Sequence, residues 1–261
     1  MLIENFALIL EDFSQQADNT TEESLKPCQR RKTMKYEEMK PEDYRRAKDA
    51  APIAYLPWGA HEWHGKHNPL GLDTLKAHGQ CLALCAETGG VVFPPVYCGH
   101  QTMKPHAGFD CTLEFSSECV KMMVTEYLEQ LADEGFKVIV IVMGHYGGRH
   151  VNAILEVVSD FNESRNDVVV WAFPDYEPTR DEGFPGEHGA CFETSYIMWF
   201  RPELVDLTRL PQEGELDFAT EGIHGVDPRG NASAKKGRDG VNVLVKNAAP
   251  RILEMLEKLK S

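Results

Sequence analysis

The 261-residue chain has no Cys-x-x-Cys pair, no internal repeat and no apolar run of the ~18–20 residues a membrane span needs. Its seven cysteines are scattered and odd in number, which excludes a disulfide framework and fits a reducing cytosol. Basic residues are scarce: 27 Lys+Arg stand against 41 Asp+Glu, a formal charge of -14. That field repels nucleic-acid phosphates and anionic membrane surfaces, so neither is an expected partner. No Gly-rich loop is followed by the Lys-Ser/Thr pair of a phosphate loop. Met1 to Phe13 lacks a basic start and is interrupted by Glu4, Glu11 and Asp12, so no signal peptide is expected and the location predicted is cytoplasmic.

What remains is an ordinary globular composition, 42% hydrophobic and 26% charged, and enough chain for a sizeable core. Residues 1–33 form an N-terminal extension. Positions 14–33 are polar and read as tail or linker, while Leu2, Ile3, Phe6, Leu10 and Phe13 suit one amphipathic helix; Met34 is an alternative start. Residues 34–261 carry the fold. Ile53 to Leu56, Val91 to Phe93, Lys137 to Met143 and Val168 to Phe173 read as strands. Helical spacing covers Asp73–Thr88, Ser117–Glu134, Arg149–Asn162, Cys191–Phe200 and part of 241–260, with Pro250 as a kink point. The run at 137–143 is nearly all β-branched and does not alternate, as in a strand covered on both faces. The pattern predicts a single-domain three-layer α/β/α sandwich with a mainly parallel sheet, whose ligands sit beyond the carboxyl ends of the strands.

Three of those strand ends carry His and acid. The first loop holds His61, Glu62, His64, His67 and then Asp73 at the start of a helix. It is not the helical His-Glu-x-x-His motif, because the second His comes one residue early and Gly59 and Gly65 disfavour a helix. In extended backbone Glu62 and His64 point the same way. A carboxylate–imidazole–carboxylate set suits Zn²⁺, Mn²⁺ or Fe²⁺, although a polar loop with surface histidines reads the same way. The second loop, Gly144-His145-Tyr146-Gly147-Gly148, follows the most buried strand. The third holds Glu187, His188 and Glu193, the last in an apolar stretch where a lone carboxylate is costly unless it is paired, bound to metal or turned to solvent. Each loop is ambiguous alone; the fold brings all three to one crevice.

These residues resemble the creatininase family over about positions 50 to 240. Four stretches carry the likeness: Leu56 to Gly65 with Asp73-Thr74; Pro94 to Gly99 continuing to His106, Phe109 and Thr112; Gly144 to Gly148 with Asn152; and Glu187-His188-Gly189 with Glu193-Thr194-Ser195. The resemblance implies two divalent metal ions per chain, with Glu62, His64 and His145 as ligands and Asp73 bridging both. It implies hydrolysis of a non-peptide C–N bond in a small amide or formamide, and a homohexamer. Creatininase has a Glu where this chain has Gly147; relatives with Gly there draw the last carboxylate from the Glu-Thr-Ser motif, which makes Glu193 the fifth ligand and argues against creatinine as substrate.

The expected activity is that of a metal-dependent amidohydrolase acting through a metal-bridging hydroxide, with His188 shuttling the proton and Glu187 orienting it or sharing the task. His61, His67 and His106 are expected beside the ligands or against substrate. The stretch Gly225–Gly240 is read as a pocket lid or a subunit contact. Two rivals stay open: an inactive metal- or ligand-binding protein of the same fold, and a metal-dependent phosphoester hydrolase. The second needs basic residues near the site, and the loops offer little beyond Lys66 and Arg149.

Overall fold

The two most apolar segments of the sequence lie side by side at the middle of one parallel sheet. The computed structural model describes residues 34–259; the tail and helix expected within 1–33 lie outside them. In chain order the elements are α1 (Pro41–Ala50), β1 (Ile53–Gly59), α2 (Leu72–Thr88), β2 (Val91–Val92), β3 (Val96–Tyr97), α3 (Met103–Ala107), α4 (Ser117–Asp133), β4 (Val138–Met143), α5 (Gly148–Ser164), β5 (Val169–Pro174), α6 (Cys191–Phe200), α7 (Phe218–Glu221) and α8 (Ala234–Lys258). The sheet runs β2-β1-β4-β5, with β3 also on β1, and the described pairs are parallel.

Every residue of β1 and β4 is buried, which is why neither alternates in polarity. Successive residues feed opposite cores. Ala54, Leu56, Trp58, Ile139, Ile141 and Met143 pack with α4 and α5 on one face. Ile53, Tyr55, Val138, Val140 and Val142 pack with α2 and α8 on the other. The result is the three-layer sandwich the sequence predicts. Among the described residues no helix is long and apolar enough to cross a membrane.

Differences from the expected elements have local causes. The strand read at 91–93 is β2, pairing Ala54↔Val91, and after Pro94 and Pro95, which cannot donate to a ladder, the chain rejoins β1 as the unpredicted β3, pairing Trp58↔Val96. Helix α4 begins as expected, with the Ser116 hydroxyl accepting from the Cys119 N–H at 3.1 Å. Helix α8 starts earlier than predicted and runs through Pro250. In the stretch 225–240, expected as a lid or a subunit contact, the second half is helical. Residues 234–240 are the first turns of α8, capped by Ser233, and their glycines serve packing. A Cβ on Gly237 would lie 2.0 Å from Ser195 O, and one on Gly240 would lie 2.6 Å from Tyr196 Oη.

Two other glycines set the position of the site. A Cβ on Gly59 would stand 2.5 Å from the Thr74 nitrogen, and one on Gly144 would stand 2.0 Å from the Asp73 carbonyl oxygen. The bare ends of β1 and β4 therefore let the start of α2 press against the sheet. Gly144→Ala is expected to push the first turn of α2 away and lower metal content per chain, with the circular dichroism spectrum retained. Metal analysis beside the spectrum checks this.

Candidate metal centre

Asp73 sits at the focus of the strand-end loops. It is the second residue of α2 and does not cap it; its carboxylate instead faces two imidazoles. Oδ1 lies 2.8 Å from His64 Nε2, and Oδ2 lies 3.4 Å from His145 Nδ1. Glu62 Oε2 is 2.8 Å from the same His145 nitrogen, and Glu193 Oε2 is 3.9 Å from His64 Nε2. Glu62, His64, Asp73, His145 and Glu193 are all buried, so the solvent-facing reading of Glu193 does not hold.

Both imidazoles are locked by backbone. His145 Nε2 donates to the His100 carbonyl at 2.9 Å, and His64 Nδ1 donates to the Glu62 carbonyl at 3.1 Å. The remaining nitrogen of each then faces carboxylate oxygens. That is how metal-ligating histidines are held: one N–H fixed from behind, the other nitrogen aimed at the ion. Glu62 Oε2 and Asp73 Oδ2 accept no hydrogen bond although fully buried. Electrostatics agree. Burial opposes the charged form of His64, yet Asp73, Glu193 and Glu62 outweigh it and push the ring up to about 9. The cluster draws positive charge onto the nitrogens that face the carboxylates. Ligand-type atoms gather in three overlapping groups: Glu62–Asp73–His145, His64–Asp73–Glu193 and Glu62–His64–His188. Asp73 is common to the first two.

Glu62 is held at one oxygen and Glu193 at both. Met103 N, at the start of α3, donates to Glu62 Oε1 at 2.6 Å. Glu193 Oε2 accepts from Gly189 N at 2.7 Å, while Oε1 accepts from Lys76 Nζ at 2.6 Å and from the Tyr146 hydroxyl. Burial would raise Glu193, but Lys76 and His64 hold it below the usual carboxylate range. Gly147 cannot contribute a ligand, and no side chain fits there: a Cβ would lie 2.7 Å from the Gln101 carbonyl oxygen.

His188 stacks on His64, ring centroids 4.1 Å apart, and its Nε2 donates to the Trp63 carbonyl at 2.8 Å. Burial, then neighbouring His64, holds its pKa below the ordinary value. Glu187 lines the same cavity as His188 and is held by backbone. Its carboxylate accepts from the backbone N–H groups of Phe192, Glu193 and Val226, and no hydrogen bond joins it to His188 among the described residues. It anchors the first turn of α6. Burial and then Glu193 push it up to about 7 despite those N–H groups.

The centre opens into a cavity of about 410 Å³ walled by Gln101, Met103, His106, Tyr176, Phe218 and His224, together with Tyr146, Glu187 and His188. His106 lines it as expected. His61 instead packs against the Tyr97 ring, and His67 bonds Thr194 at 3.0 Å behind the site. Neither Lys66 nor Arg149 lines the cavity, and no other Lys or Arg does among the described residues.

Sequence reading missed Lys76, Asp175, Gln80 and Tyr146, a buried polar layer beneath Glu193. Lys76 also pairs Asp175 at 3.1 Å, and Gln80 donates to Asp175 at 2.9 Å. The signal was present: Lys76 falls one turn after Asp73 in an otherwise apolar helix face. Tyr176, Phe218 and His224 carried none, because they reach the cavity from loops and the start of the four-residue α7, where no spacing rule applies.

Comparison with known proteins agrees with the geometry. The family model described as "Creatininase: Creatinine amidohydrolase" matches residues 37–252. A creatinine amidohydrolase of Pseudomonas putida is 26% identical over 231 residues, covering 77% of this chain and 89% of that protein. A mycofactocin precursor peptide peptidase of Mycolicibacterium smegmatis is 28% identical over 162 residues, 59% of this chain and 60% of that protein. Among solved structures, "Creatininase Mn" superposes with a TM-score of 0.70 at 25% identity, covering 85% of this chain and 98% of that one. A creatininase mutant of "Zn-Zn type" gives 0.69 at 25% identity over the same shares, 85% and 98%.

Proposed function

Since the chain belongs to the creatininase family, whose members are metal-dependent amidohydrolases, we propose that residues 34–261 form a dinuclear hydrolase that cleaves a non-peptide C–N bond of a small amide. The observation that carries the reading is the pair of ligand groups sharing Asp73. Glu62 and His145 complete one group; His64 and Glu193 complete the other. Zn²⁺, Mn²⁺ and Fe²⁺ each accept carboxylate and imidazole together and suit the donor set.

When bound, two divalent cations supply Lewis acidity and a water acidified to near neutrality. The chain's own residues do the rest. His188 is tautomerically fixed: its Nε2–H is committed to Trp63, so Nδ1 keeps a lone pair that accepts a proton and passes it to the leaving nitrogen. Its depressed pKa keeps it neutral near pH 7, ready to accept. Glu187 positions the start of α6 and thereby Glu193. The cavity has the size of a small-molecule site, and its lack of cationic lining disfavours a phosphoester. The complete set of buried donors disfavours an inactive relative.

The substrate panel that tests this is creatinine, N-formyl amines, five- and six-membered lactams and short peptides, each with Zn²⁺- or Mn²⁺-loaded protein. Hydrolysis of a lactam or formamide with little on creatinine is the expected result. Turnover of peptides alone would move the assignment toward the peptidase relative; turnover of none of the panel by metal-loaded protein would contradict amide hydrolysis. By family resemblance the assembly is a homohexamer, which sedimentation of the purified protein tests; the scattered cysteines fit a cytoplasmic location.

A further inference from the structure

Beneath the candidate centre lies a buried polar layer to which nothing above gives a role. Lys76 is fully buried, and a buried ammonium is costly unless several acceptors surround it. It meets Glu193 Oε1 at 2.6 Å and Asp175 Oδ2 at 3.1 Å, and stands 4.8 Å from the centroid of the Tyr146 ring. The Tyr146 hydroxyl shares its one proton between the same Glu193 oxygen and the Glu187 carbonyl, the latter at 2.6 Å. Gln80 fixes Asp175 from behind. Both donors therefore converge on one carboxylate oxygen, Oε1. The other, Oε2, accepts from the Gly189 N–H at 2.7 Å and is turned toward His64 and Asp73.

We propose that Lys76 and Tyr146 are positioning residues that clamp Oε1 of Glu193, so that this carboxylate presents only Oε2 to the cation shared with His64 and Asp73. The inference rests on the dinuclear reading above. Without the clamp, Glu193 can rotate and chelate through both oxygens or withdraw, and the group it completes loses its preformed geometry. The other group, Glu62–Asp73–His145, has its own support from Met103 and His100 and does not depend on the clamp. Lys76 thus acts on one of two metals.

The test is a Zn²⁺ titration of metal-free full-length protein in competition with a chromophoric chelator. Wild type is expected to bind in two steps, and Glu193→Gln identifies which step belongs to Glu193. In Lys76→Met that step is expected to weaken about 10- to 100-fold, the usual effect of removing a group that supports a ligand, while the other stays within a few-fold. Asp175→Asn removes the charge behind Lys76 but leaves the clamp, so both steps stay near wild type. A purely structural counter-ion would make Lys76→Met and Asp175→Asn behave alike. Tyr146→Phe, which removes the second donor, weakens the same step as Lys76→Met and decides the matter if the latter does not fold. Wild-type affinity at both steps in these variants, or equal weakening of both, would overturn the clamp. A wild-type protein that binds no Zn²⁺ would instead overturn the dinuclear reading beneath it.

Discussion

Asp73→Ala is expected to strip both metals from the protein and lower kcat/KM at least about 10³-fold, or ~4 kcal/mol of transition-state stabilisation. The size follows from the geometry. The two Asp73 oxygens face different imidazoles, His64 and His145, so a single substitution removes a donor from each group. Neither group then keeps more than one carboxylate and one imidazole. The fold should survive, because Asp73 packs at the sheet end and belongs to neither hydrophobic core. Metal analysis, circular dichroism and kinetics on one preparation check the three parts. If the alanine variant kept its metals and activity, Asp73 would not be the shared ligand.

His188→Asn is expected to give the contrasting result: both metals retained, kcat reduced about 10²- to 10⁴-fold. Asparagine is a smaller neutral polar side chain that leaves the ligands in place and removes the proton carrier. One arrangement in the structure makes the experiment decisive. His188 also falls in a ligand-type group with Glu62 and His64. Loss of one metal in His188→Asn would show that His188 is a ligand and that the proton is moved by another group. Glu187→Gln is less informative, since its carboxylate is spent on three backbone N–H groups of the α6 region.

Much of this centre could be read in the sequence because its parts obey local rules. The apolar runs at 53–56 and 137–143 mark buried parallel strands, and polar residues just past such strands converge in space whatever their separation along the chain. Glu62, His64, Asp73 and His145 were therefore legible as a set. Glu193 was legible only as a carboxylate in an apolar stretch, and the structure supplies the reason it is tolerated: Lys76, far along the chain, meets it across the helix pair α2 and α6. Pairings of that kind have no spacing signature. The same holds for Glu187. Its neighbour in sequence suggested a partner for His188, whereas its carboxylate accepts from the backbone N–H groups of Phe192, Glu193 and Val226. The glycines of 234–240 misled for the opposite reason. Glycine density reads as loop, but here it permits close helix packing inside a regular helix.

The most direct measurement is the number of divalent ions per folded chain at saturation, by elemental mass spectrometry after removal of loosely bound ions. Two ligand groups sharing Asp73 predict two ions per wild-type chain, one in Glu193→Gln and none in Asp73→Ala. A saturated, folded wild-type protein holding one ion or none would contradict the dinuclear centre.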